Sequence, residues 1–257
     1  MLAEERRKEI LELIEISNVV SVADLCVRLD VSEMTIRRDL RMLANDGLLM
    51  RVHGGAISRR GRSYEPPYLM RSSSHVDLKQ VIGVRAASLV HEGDSLAIDV
   101  GTTTLEVAKN LTGLSNLTVL TSSLIILNLL ADSPNIRLFA SGGEIRPQER
   151  SMVGRIAAST FQEFQVDKAF IGIGGVHPEV GLSEYNLEDA LVKQAIIQHA
   201  EQVIIVADSS KLMRTCFAVV APTQAADIIV TDYEAPEEII QVFKKMGVEI
   251  IQAERPI

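Results

Sequence analysis

Three closely spaced arginines are the first residues whose types and spacing suggest chemistry. On a helical wheel at 100° per residue, Arg37, Arg38 and Arg41 fall on one side, together with Met34. The opposite side is apolar and consists of Ile36, Leu40 and Leu43. A guanidinium group can contact guanine O6 and N7 in pairs, or bind phosphate oxygens. We therefore predict a helix that packs its apolar side inward and presents the arginines to nucleic acid.

Capping and turn residues place this helix third in a three-helix unit. Ser32 precedes it as an N-cap, and Gly47 follows it in the position that glycine favours at a helix end. An apolar stripe predicts a first helix over about residues 4–17, and a second helix begins at its cap Ser21. Two short strands around Gly54-Gly55 predict a β-hairpin, or wing. This order is typical of a winged helix-turn-helix.

The same arrangement predicts which side chains reach DNA. In such domains the start of the third helix enters the major groove, and the wing can touch the adjacent backbone or minor groove. The predicted DNA-binding residues are Ser32, Glu33, Met34, Thr35, Arg37, Arg38, Arg41, Arg51 and His53. A solvated arginine face on an ordinary surface helix is the alternative, and for His53 a hydrogen bond within the hairpin. The coincidence of cap, turn, helix order and glycine hairpin favours DNA binding.

The distribution of charge is consistent with a basic face on an acidic protein. The 257-residue chain has a net charge of −8, but residues 32–62 hold seven arginines against three acidic residues. Residues 63–257 hold 15 basic and 24 acidic residues. A confined basic surface can bind phosphate, while the acidic remainder discourages non-specific adhesion to DNA.

A second group of residues could bind a small anion. The segment Asp99-Val100-Gly101-Thr102-Thr103-Thr104 follows an apolar run and opens a helical pattern. Glycine lets the backbone approach a ligand, and successive N–H groups with the helix dipole attract negative charge. Two further loops, Thr121-Ser122-Ser123 and Ser141-Gly142-Gly143-Glu144, follow apolar runs in the same way. A threonine-rich helix cap is the alternative for the first segment taken alone.

Alternating elements must position these loops. From about Val76 the chain alternates apolar runs with helical segments, which predicts an α/β domain with a mostly parallel sheet. Strands are predicted over residues 95–100, 117–121, 136–140, 167–172, 203–207, 227–231 and 248–251, and helices over 104–111, 124–131, 187–201 and 236–246. Because ligands bind at the carboxyl ends of strands in open α/β sheets, the loops should converge on one site.

Charged residues later in the chain complete the predicted ligand site. Glu184 precedes a helix that contains Lys193, and Asp208 and Lys211 follow another strand run. A lysine after a strand end can bind a phosphate, although Lys193 could instead lie on a helix surface. The predicted ligand-binding residues are Asp99, Gly101, Thr102, Thr103, Thr104, Thr121, Ser122, Ser123, Gly142, Gly143, Gly174, Glu184, Lys193, Asp208 and Lys211.

The rest of the sequence bounds the class of protein. Residues 58–75 are rich in Ser, Arg, Gly and Pro, which predicts a linker between a DNA-binding domain over 1–57 and a sensing domain over 76–257. No apolar stretch could span a bilayer and no signal peptide is recognisable, so we expect a cytoplasmic protein. The two cysteines, Cys26 and Cys216, lack the spacing of a metal or redox site, and we expect neither metal nor cofactor.

Several longer runs show a family resemblance. They are VSVADLCVRLDVSEMTIRRDLRMLANDGLLMRVHGGA near the N-terminus, then DVGTTTLEVAKNL, TSS, SGGEIRPQERSMVG, DKAFIGIGGV and VADSSKLMR. Together they resemble the DeoR family of bacterial transcriptional regulators over essentially the whole chain. The resemblance implies a sensing domain similar to ribose-5-phosphate isomerase, a phosphorylated sugar as effector, and repression of a carbohydrate-catabolic operon. Ser122 and Met213 depart from the family pattern, which often has Asn and Gly there.

Two other functions stay open from the residues alone. An isomerase would need a positioned carboxylate base, and Gly172–Gly175 offers none where the resembling isomerases have an acid-rich segment. Asp99, Glu184 or Glu188 could still supply that base. The other alternative is a DNA-binding protein with a non-carbohydrate ligand. For a regulator we expect no catalysis, double-stranded operator DNA as partner, and a homo-oligomer, because one winged domain offers few DNA contacts.

Overall fold

The computed structural model describes residues 2–17, 19–58 and 61–255, which belong to two units. One unit covers residues 1–64 and the other residues 65–257. Helices and strands are numbered in chain order. Within the described ranges, no helix is both long enough and apolar enough to cross a membrane.

The first unit contains three helices and three short strands. They are α1 (Ala3–Ser17), β1 (Val19–Ser21), α2 (Val22–Leu29), α3 (Glu33–Asn45), β2 (Leu49–Val52) and β3 (Gly55–Ser58). Each helix buries part of an apolar stripe, and Ile10, Leu25 and Ile36 are at most 1% exposed. The winged helix-turn-helix predicted from the sequence is confirmed.

The sheet of the first unit has one strand more than the predicted hairpin. β1 joins the hairpin in the antiparallel order β1-β3-β2. Gly55 permits this pairing, because a Cβ there would lie 2.1 Å from the carbonyl oxygen of Val20. Ser21 ends β1 and also caps α2, where its Oγ accepts a hydrogen bond from the Asp24 N–H at 3.0 Å. A strand of three residues is too short to be recognised from alternation.

A buried ion pair links α1 to α3. Arg6 Nε lies 2.6 Å from Asp39 Oδ2, and both residues are almost fully buried. Asp39 follows the exposed Arg38 directly but points into the core. The pair therefore helps to fix which side of α3 faces outward, and losing one partner would leave an uncompensated buried charge.

The second unit is built on a seven-stranded parallel sheet. Its strands are β4 (Ser95–Ile98), β5 (Leu117–Thr121), β6 (Ile136–Ala140), β9 (Val166–Gly172), β12 (Ala200–Val206), β14 (Ile228–Thr231) and β15 (Glu249–Gln252). Their order is β15-β14-β12-β9-β4-β5-β6, and each neighbouring pair is parallel. All seven runs predicted from the sequence form these strands, which confirms the α/β class.

Helices cover both faces of this sheet. The helices of this unit are α4 (Tyr68–Ser73), α5 (Val76–Ala87), α6 (Thr102–Lys109), α7 (Leu124–Leu130), α8 (Gly154–Gln162), α9 (Leu187–Gln198) and α10 (Glu237–Lys245). Successive residues of a strand point to opposite faces, so β9 contributes Phe170 to one apolar core and Ile171 to the other. Burial on both faces explains why the inner strands are mostly apolar runs.

Two short antiparallel elements follow β6 and β9 and were not predicted. One is a hairpin of β7 (Glu144–Arg146) and β8 (Ser151–Val153). The other is a three-stranded sheet in the order β10 (Gly175–His177), β11 (Gly181–Glu184) and β13 (Ala218–Ala221). Strands of three or four residues contain too little alternation to be distinguished from loops.

The stretch predicted as a linker over residues 58–75 is partly folded. α4 lies inside it, and Tyr68 is buried. Pro66 and Pro67 precede this helix rather than interrupt it, as proline is tolerated at a helix start. The second unit begins at Glu65 rather than at Val76.

Candidate DNA-binding surface and ligand site

Helix α3 presents the predicted cationic face to solvent. Arg37, Arg38 and Arg41 are exposed, and Met34 is 81% exposed. Glu33 Oε1 accepts a hydrogen bond from Arg37 Nε at 2.8 Å, which holds that guanidinium group over the first turn. The arrangement offers guanidinium groups to a phosphate backbone or to guanine edges.

The start of α3 and the wing hold the other predicted DNA-binding residues. Ser32 Oγ accepts a hydrogen bond from the Thr35 N–H at 3.4 Å and lies 3.0 Å from Thr35 Oγ1, so both side chains serve the helix cap. Arg51 and His53 are exposed on the hairpin of β2 and β3. The carbonyl of Gly54 accepts a hydrogen bond at 2.8 Å from the first N–H of α2, which ties the wing to that helix.

The strand ends of the large sheet bring the predicted ligand-binding loops to one edge. Ile98 of β4 pairs with Thr121 of β5 on one side and with Phe170 of β9 on the other. Val206 of β12 pairs in turn with Gly172. Because all these strands are parallel, the loops that follow them begin at the same edge. These loops contain Asp99, Gly101, Thr102, Thr103, Thr104, Ser122, Ser123, Gly174, Asp208 and Lys211.

A buried lysine connects three of these elements. The Lys193 ammonium of α9 forms an ion pair with Asp99 and lies 3.4 Å from Glu184 Oε2. It also donates a hydrogen bond to the carbonyl of Gly172 at 3.0 Å. Lys193 is 2% exposed, so the alternative that it lies on a helix surface is wrong. Burial raises the pKa of Asp99, and the neighbouring Lys193 opposes that rise.

The two carboxylates of this cluster have further acceptor capacity. Asp99 Oδ2 accepts a hydrogen bond from the Gly172 N–H at 3.2 Å, and Glu184 Oε1 accepts one from the Tyr185 N–H at 2.9 Å. A carboxylate offers about four acceptor directions, so both can also bind ligand hydroxyl groups. Gly174 packs closely against Glu184, because a Cβ there would lie 2.9 Å from Glu184 Oε1. Within the described ranges, no group of three or more His, Cys, Asp and Glu residues could hold a metal ion.

The loop from Gly101 to Thr104 begins α6 at the same edge. Gly101 has a φ of 151°, which side-chain-bearing residues rarely adopt, and its carbonyl accepts a hydrogen bond from Thr104 Oγ1 at 3.1 Å. Thr102, Thr103 and Thr104 are all buried. A Cβ on Gly101 would lie 4.0 Å from the Cα of Gly172, so this loop borders the lysine cluster. The N–H groups at the start of the helix can attract an anion there.

At the end of β5, Thr121 and Ser123 accept backbone hydrogen bonds, whereas the hydroxyl of Ser122 between them is unpaired among the described residues. Thr121 Oγ1 accepts a hydrogen bond from the Ser123 N–H at 3.1 Å, and Ser123 Oγ caps α7 through a backbone N–H at 3.3 Å. Ser122 Oγ is buried without a hydrogen-bond partner in the described part of the chain, and so is Ser151 Oγ on β8. A backbone hydrogen bond of 2.8 Å from β8 to the Ser122 carbonyl brings the two segments together.

Two predicted glycines are explained by chain geometry. Gly142 and Gly143 have φ values of 70° and 110°. A Cβ on Gly143 would lie 2.5 Å from the carbonyl oxygen of Val153, so glycine is needed where β8 passes. A Cβ on Gly142 would lie 3.7 Å from Ile156 Cγ2, an ordinary contact.

A cationic group lies beyond the end of β12. Burial raises the pKa of Asp208, but Lys211, Ser210 and Lys79 outweigh it and leave the pKa below its ordinary value. Burial lowers the pKa of Lys79 to about 8, and this lysine interacts electrostatically with Asp208 and Lys211. Its Nζ donates a hydrogen bond to the carbonyl of Ser74 at 2.6 Å, at the end of α4. Lys79 was not predicted to belong to the site.

Two family models together match most of the chain. A DeoR-like helix-turn-helix domain matches residues 6–61, and a DeoR C terminal sensor domain matches residues 74–233. The chain belongs to the DeoR family of transcriptional regulators.

Several curated DeoR-type proteins are similar over nearly their whole length. The chain is 34% identical to the uncharacterized HTH-type transcriptional regulator YgbI of Escherichia coli (strain K12), over 98% of this chain and 99% of that protein. It is 33% identical to the HTH-type transcriptional repressor GlcR of Bacillus subtilis (strain 168), over 99% and 98%. It is 30% identical to the glycerol-3-phosphate regulon repressor of E. coli (strain K12), over 96% and 97%. Ribose 5-phosphate isomerase A from Methanocaldococcus jannaschii matches with a TM-score of 0.41 and 20% identity, over 54% of this chain and 55% of that one.

This DeoR-family chain also contains an ion-pair network that the sequence did not reveal. Arg71 of α4 lies 3.0 Å from Glu65 and forms a second ion pair with Glu149. Arg146 of β7 lies 2.8 Å from Glu65 and forms a second ion pair with Asp189 of α9. All five side chains are at least three-quarters buried. The network ties the beginning of the second unit to the β7–β8 hairpin and to α9.

Asp189 connects this network to the buried cluster around Lys193. It lies one helical turn before Lys193 on α9. Burial raises the pKa of Asp189 to about 7, although Lys193 and Arg146 both lower it. A change in the charge or position of Lys193 would therefore change the electrostatic environment of Asp189 and of its ion pair with Arg146.

Proposed function

We propose that this DeoR-family regulator represses a carbohydrate-catabolic operon and that a phosphorylated sugar modulates its operator binding. Relatives at 30% and 33% identity are named as the glycerol-3-phosphate regulon repressor and the GlcR repressor. The observation that carries the proposal is that anion-attracting groups and buried carboxylates meet at one edge of one sheet. A phosphorylated polyol presents the complementary pair of groups.

The proposed site has one end for the phosphate and one for the sugar. The N–H groups at the start of α6 and the ammonium groups of Lys79 and Lys211 attract a dianion. Asp99 and Glu184 accept hydrogen bonds from sugar hydroxyl groups, and the unpaired Ser122 hydroxyl adds a further partner. A sugar without phosphate would leave the cationic end unused, so we expect it to bind more weakly.

Control of transcription follows from linkage between the two ligands. The effector must bind the low-DNA-affinity arrangement more tightly than the high-affinity one, because a ligand shifts an equilibrium only through differential affinity. We further propose that two or more copies occupy repeated half-sites, since one winged unit makes few DNA contacts.

The site is proposed to bind its ligand without turning it over. An isomerase requires a carboxylate that can take a proton from the reacting carbon. The ammonium of Lys193 engages both Asp99 and Glu184, so either carboxylate would first have to give up a buried ion pair. Glu188 is exposed at the start of α9. Isomerisation of ribose 5-phosphate by the purified protein would contradict this proposal.

Thermal unfolding of the full chain tests the class of ligand. We expect phosphorylated sugars to raise the Tm and their unphosphorylated counterparts to leave it unchanged at equal concentration. The effective sugar phosphate should also weaken binding to a fluorescent duplex from the region upstream of the gene, measured by anisotropy.

Lys211→Met is the matched variant for this experiment. It should lose most of the Tm shift and still bind the duplex in the absence of ligand. Stabilisation by unphosphorylated sugars only, or DNA binding that no sugar phosphate affects, would contradict the proposed function.

A further inference from the structure

Tyr185 has a buried hydroxyl for which the described residues offer no hydrogen-bond partner. It follows the last residue of β11 in the chain and precedes α9, and the residue is 4% exposed. Burying an unpaired hydroxyl is unfavourable, and native proteins contain few of them. In the described ranges, four buried side-chain polar atoms are unpaired, those of Ser122, Ser151, Tyr185 and Thr231. Ser122 is among the proposed ligand-binding residues and Tyr185 directly follows another, Glu184, so a ligand that enters the site can pair both hydroxyls.

Two cations lie close to the Tyr185 side chain. Arg214 Cζ lies 5.5 Å from the centroid of the ring. Burial raises the pKa of the phenol, and Lys211 and Arg214 offset only part of that rise. The phenol therefore keeps its proton at neutral pH and can act as a hydrogen-bond donor.

Close packing holds the tyrosine ring in place. A Cβ on Gly174 would lie 3.0 Å from Tyr185 Cε2 and 2.9 Å from both Glu184 Oε1 and Cys216 Sγ. The hydrogen bond from the Tyr185 N–H to Glu184 fixes the backbone beside the lysine cluster. A ring packed in this way cannot swing out to satisfy its hydroxyl elsewhere.

We propose that Tyr185 is a ligand-selecting residue, whose hydroxyl donates a hydrogen bond to an ionised oxygen of a phosphate ester bound beside Lys211. This rests on the proposed function, because it takes the ligand to be phosphorylated. An ammonium group attracts any anion as a point charge, whereas the O–H group of a fixed phenol binds an acceptor from one direction. A hydrogen bond to a charged oxygen is about twice as strong as one to a neutral oxygen. Tyr185 thus favours a phosphate over a neutral group at the same place.

Tyr185→Phe separates this ligand role from a packing role. Without ligand, removal of the unpaired hydroxyl should raise the Tm by roughly 2–4 °C. The affinity for inorganic phosphate, and for the sugar phosphate that most stabilises the wild type, should fall about 10-fold. The chain has four tyrosines and no tryptophan, so the ligand-induced change in tyrosine absorbance should also shrink in this variant.

Thr231→Val is the matched control. It removes the unpaired hydroxyl of β14, and it should raise the Tm similarly without changing the affinity for phosphate. A Tyr185→Phe variant that binds phosphate like the wild type, or that is less stable without ligand, would overturn this inference and leave the proposed function intact. If neither phosphate nor any sugar phosphate stabilises the wild type, the inference and the phosphate part of the proposed function fall together.

Discussion

At the scale of single residues, Lys193 balances the buried charge of the proposed ligand site. Its ammonium compensates the buried carboxylates of Asp99 and Glu184. Lys193→Met keeps most of the apolar stem and removes the charge, so we expect the free energy of unfolding in urea to fall by about 3–5 kcal/mol. Adding Asp99→Asn should recover part of this loss, because one fewer carboxylate is then uncompensated. Unchanged stability in the single variant would show that the carboxylates do not need the lysine.

Asp189 should make stability depend on pH. Its folded-state pKa is raised from 3.8 to about 7, so the folded protein binds this proton more tightly than the unfolded chain. The resulting stabilisation is present below pH 3.8 and is lost as the pH rises through 7. Relative to Asp189→Asn, the wild type should therefore lose Tm between about pH 4 and pH 7. A difference in Tm that stays constant across this range would contradict the raised pKa.

The burial of individual charged residues was the part of the site that sequence could not decide. Lys193 could equally have faced water, because its partner Asp99 is 94 positions away in the chain and only the sheet topology brings them together. Lys79 did leave a signal, since it lies on the same helical stripe as the buried Ile82 and Ala86. Tyr185 left none, because nothing in its local sequence distinguishes it from a core tyrosine.

At the scale of elements, the β7–β8 hairpin depends on one glycine. Gly143 has a φ of 110°, and a Cβ there would lie 2.5 Å from the backbone carbonyl of Val153. Gly143→Ala should lower the Tm by roughly 4–8 °C, because backbone strain adds to the clash. Gly113→Ala is the control, since its Cβ would meet no atom within 4 Å. Equal Tm values for the two variants would show that the hairpin can move aside.

Elements differ in how well the sequence predicts them, and their surroundings explain the difference. The strands Leu117–Thr121 and Ile136–Ala140 were predicted to the residue. Leu117–Thr121 is almost wholly buried within the sheet and is therefore a short, mostly apolar run, whereas Ile136–Ala140 is the edge strand and is only partly buried. The sequence did not predict α4, because Pro66-Pro67 indicated irregular structure and the helix begins directly after them. The short strand Ser151–Val153 depends on pairing with its neighbour rather than on its own pattern.

At the scale of the whole molecule, the proposed DNA-binding and ligand-binding residues fall on separate units with different charge. All seven arginines of residues 32–62 belong to the first unit, whereas residues 63–257 are strongly acidic. Each unit has its own apolar core. Substitutions on the surface of one unit should therefore leave the fold of the other intact.

The double variant Arg37→Ala/Arg38→Ala tests this separation of roles. Both arginines are exposed on α3, so their loss should abolish operator binding in an anisotropy titration without lowering the Tm. Any binding that persists should depend less on salt, by about one unit of slope for each lost phosphate contact. The Tm shift caused by a sugar phosphate should be retained in full. Lys8→Ala is the control, because this exposed lysine lies on α1 beside Glu12 and is not among the predicted DNA-binding residues. Joint loss of operator binding and of the ligand-induced shift would mean that the substitutions disturb the fold rather than the DNA contact alone.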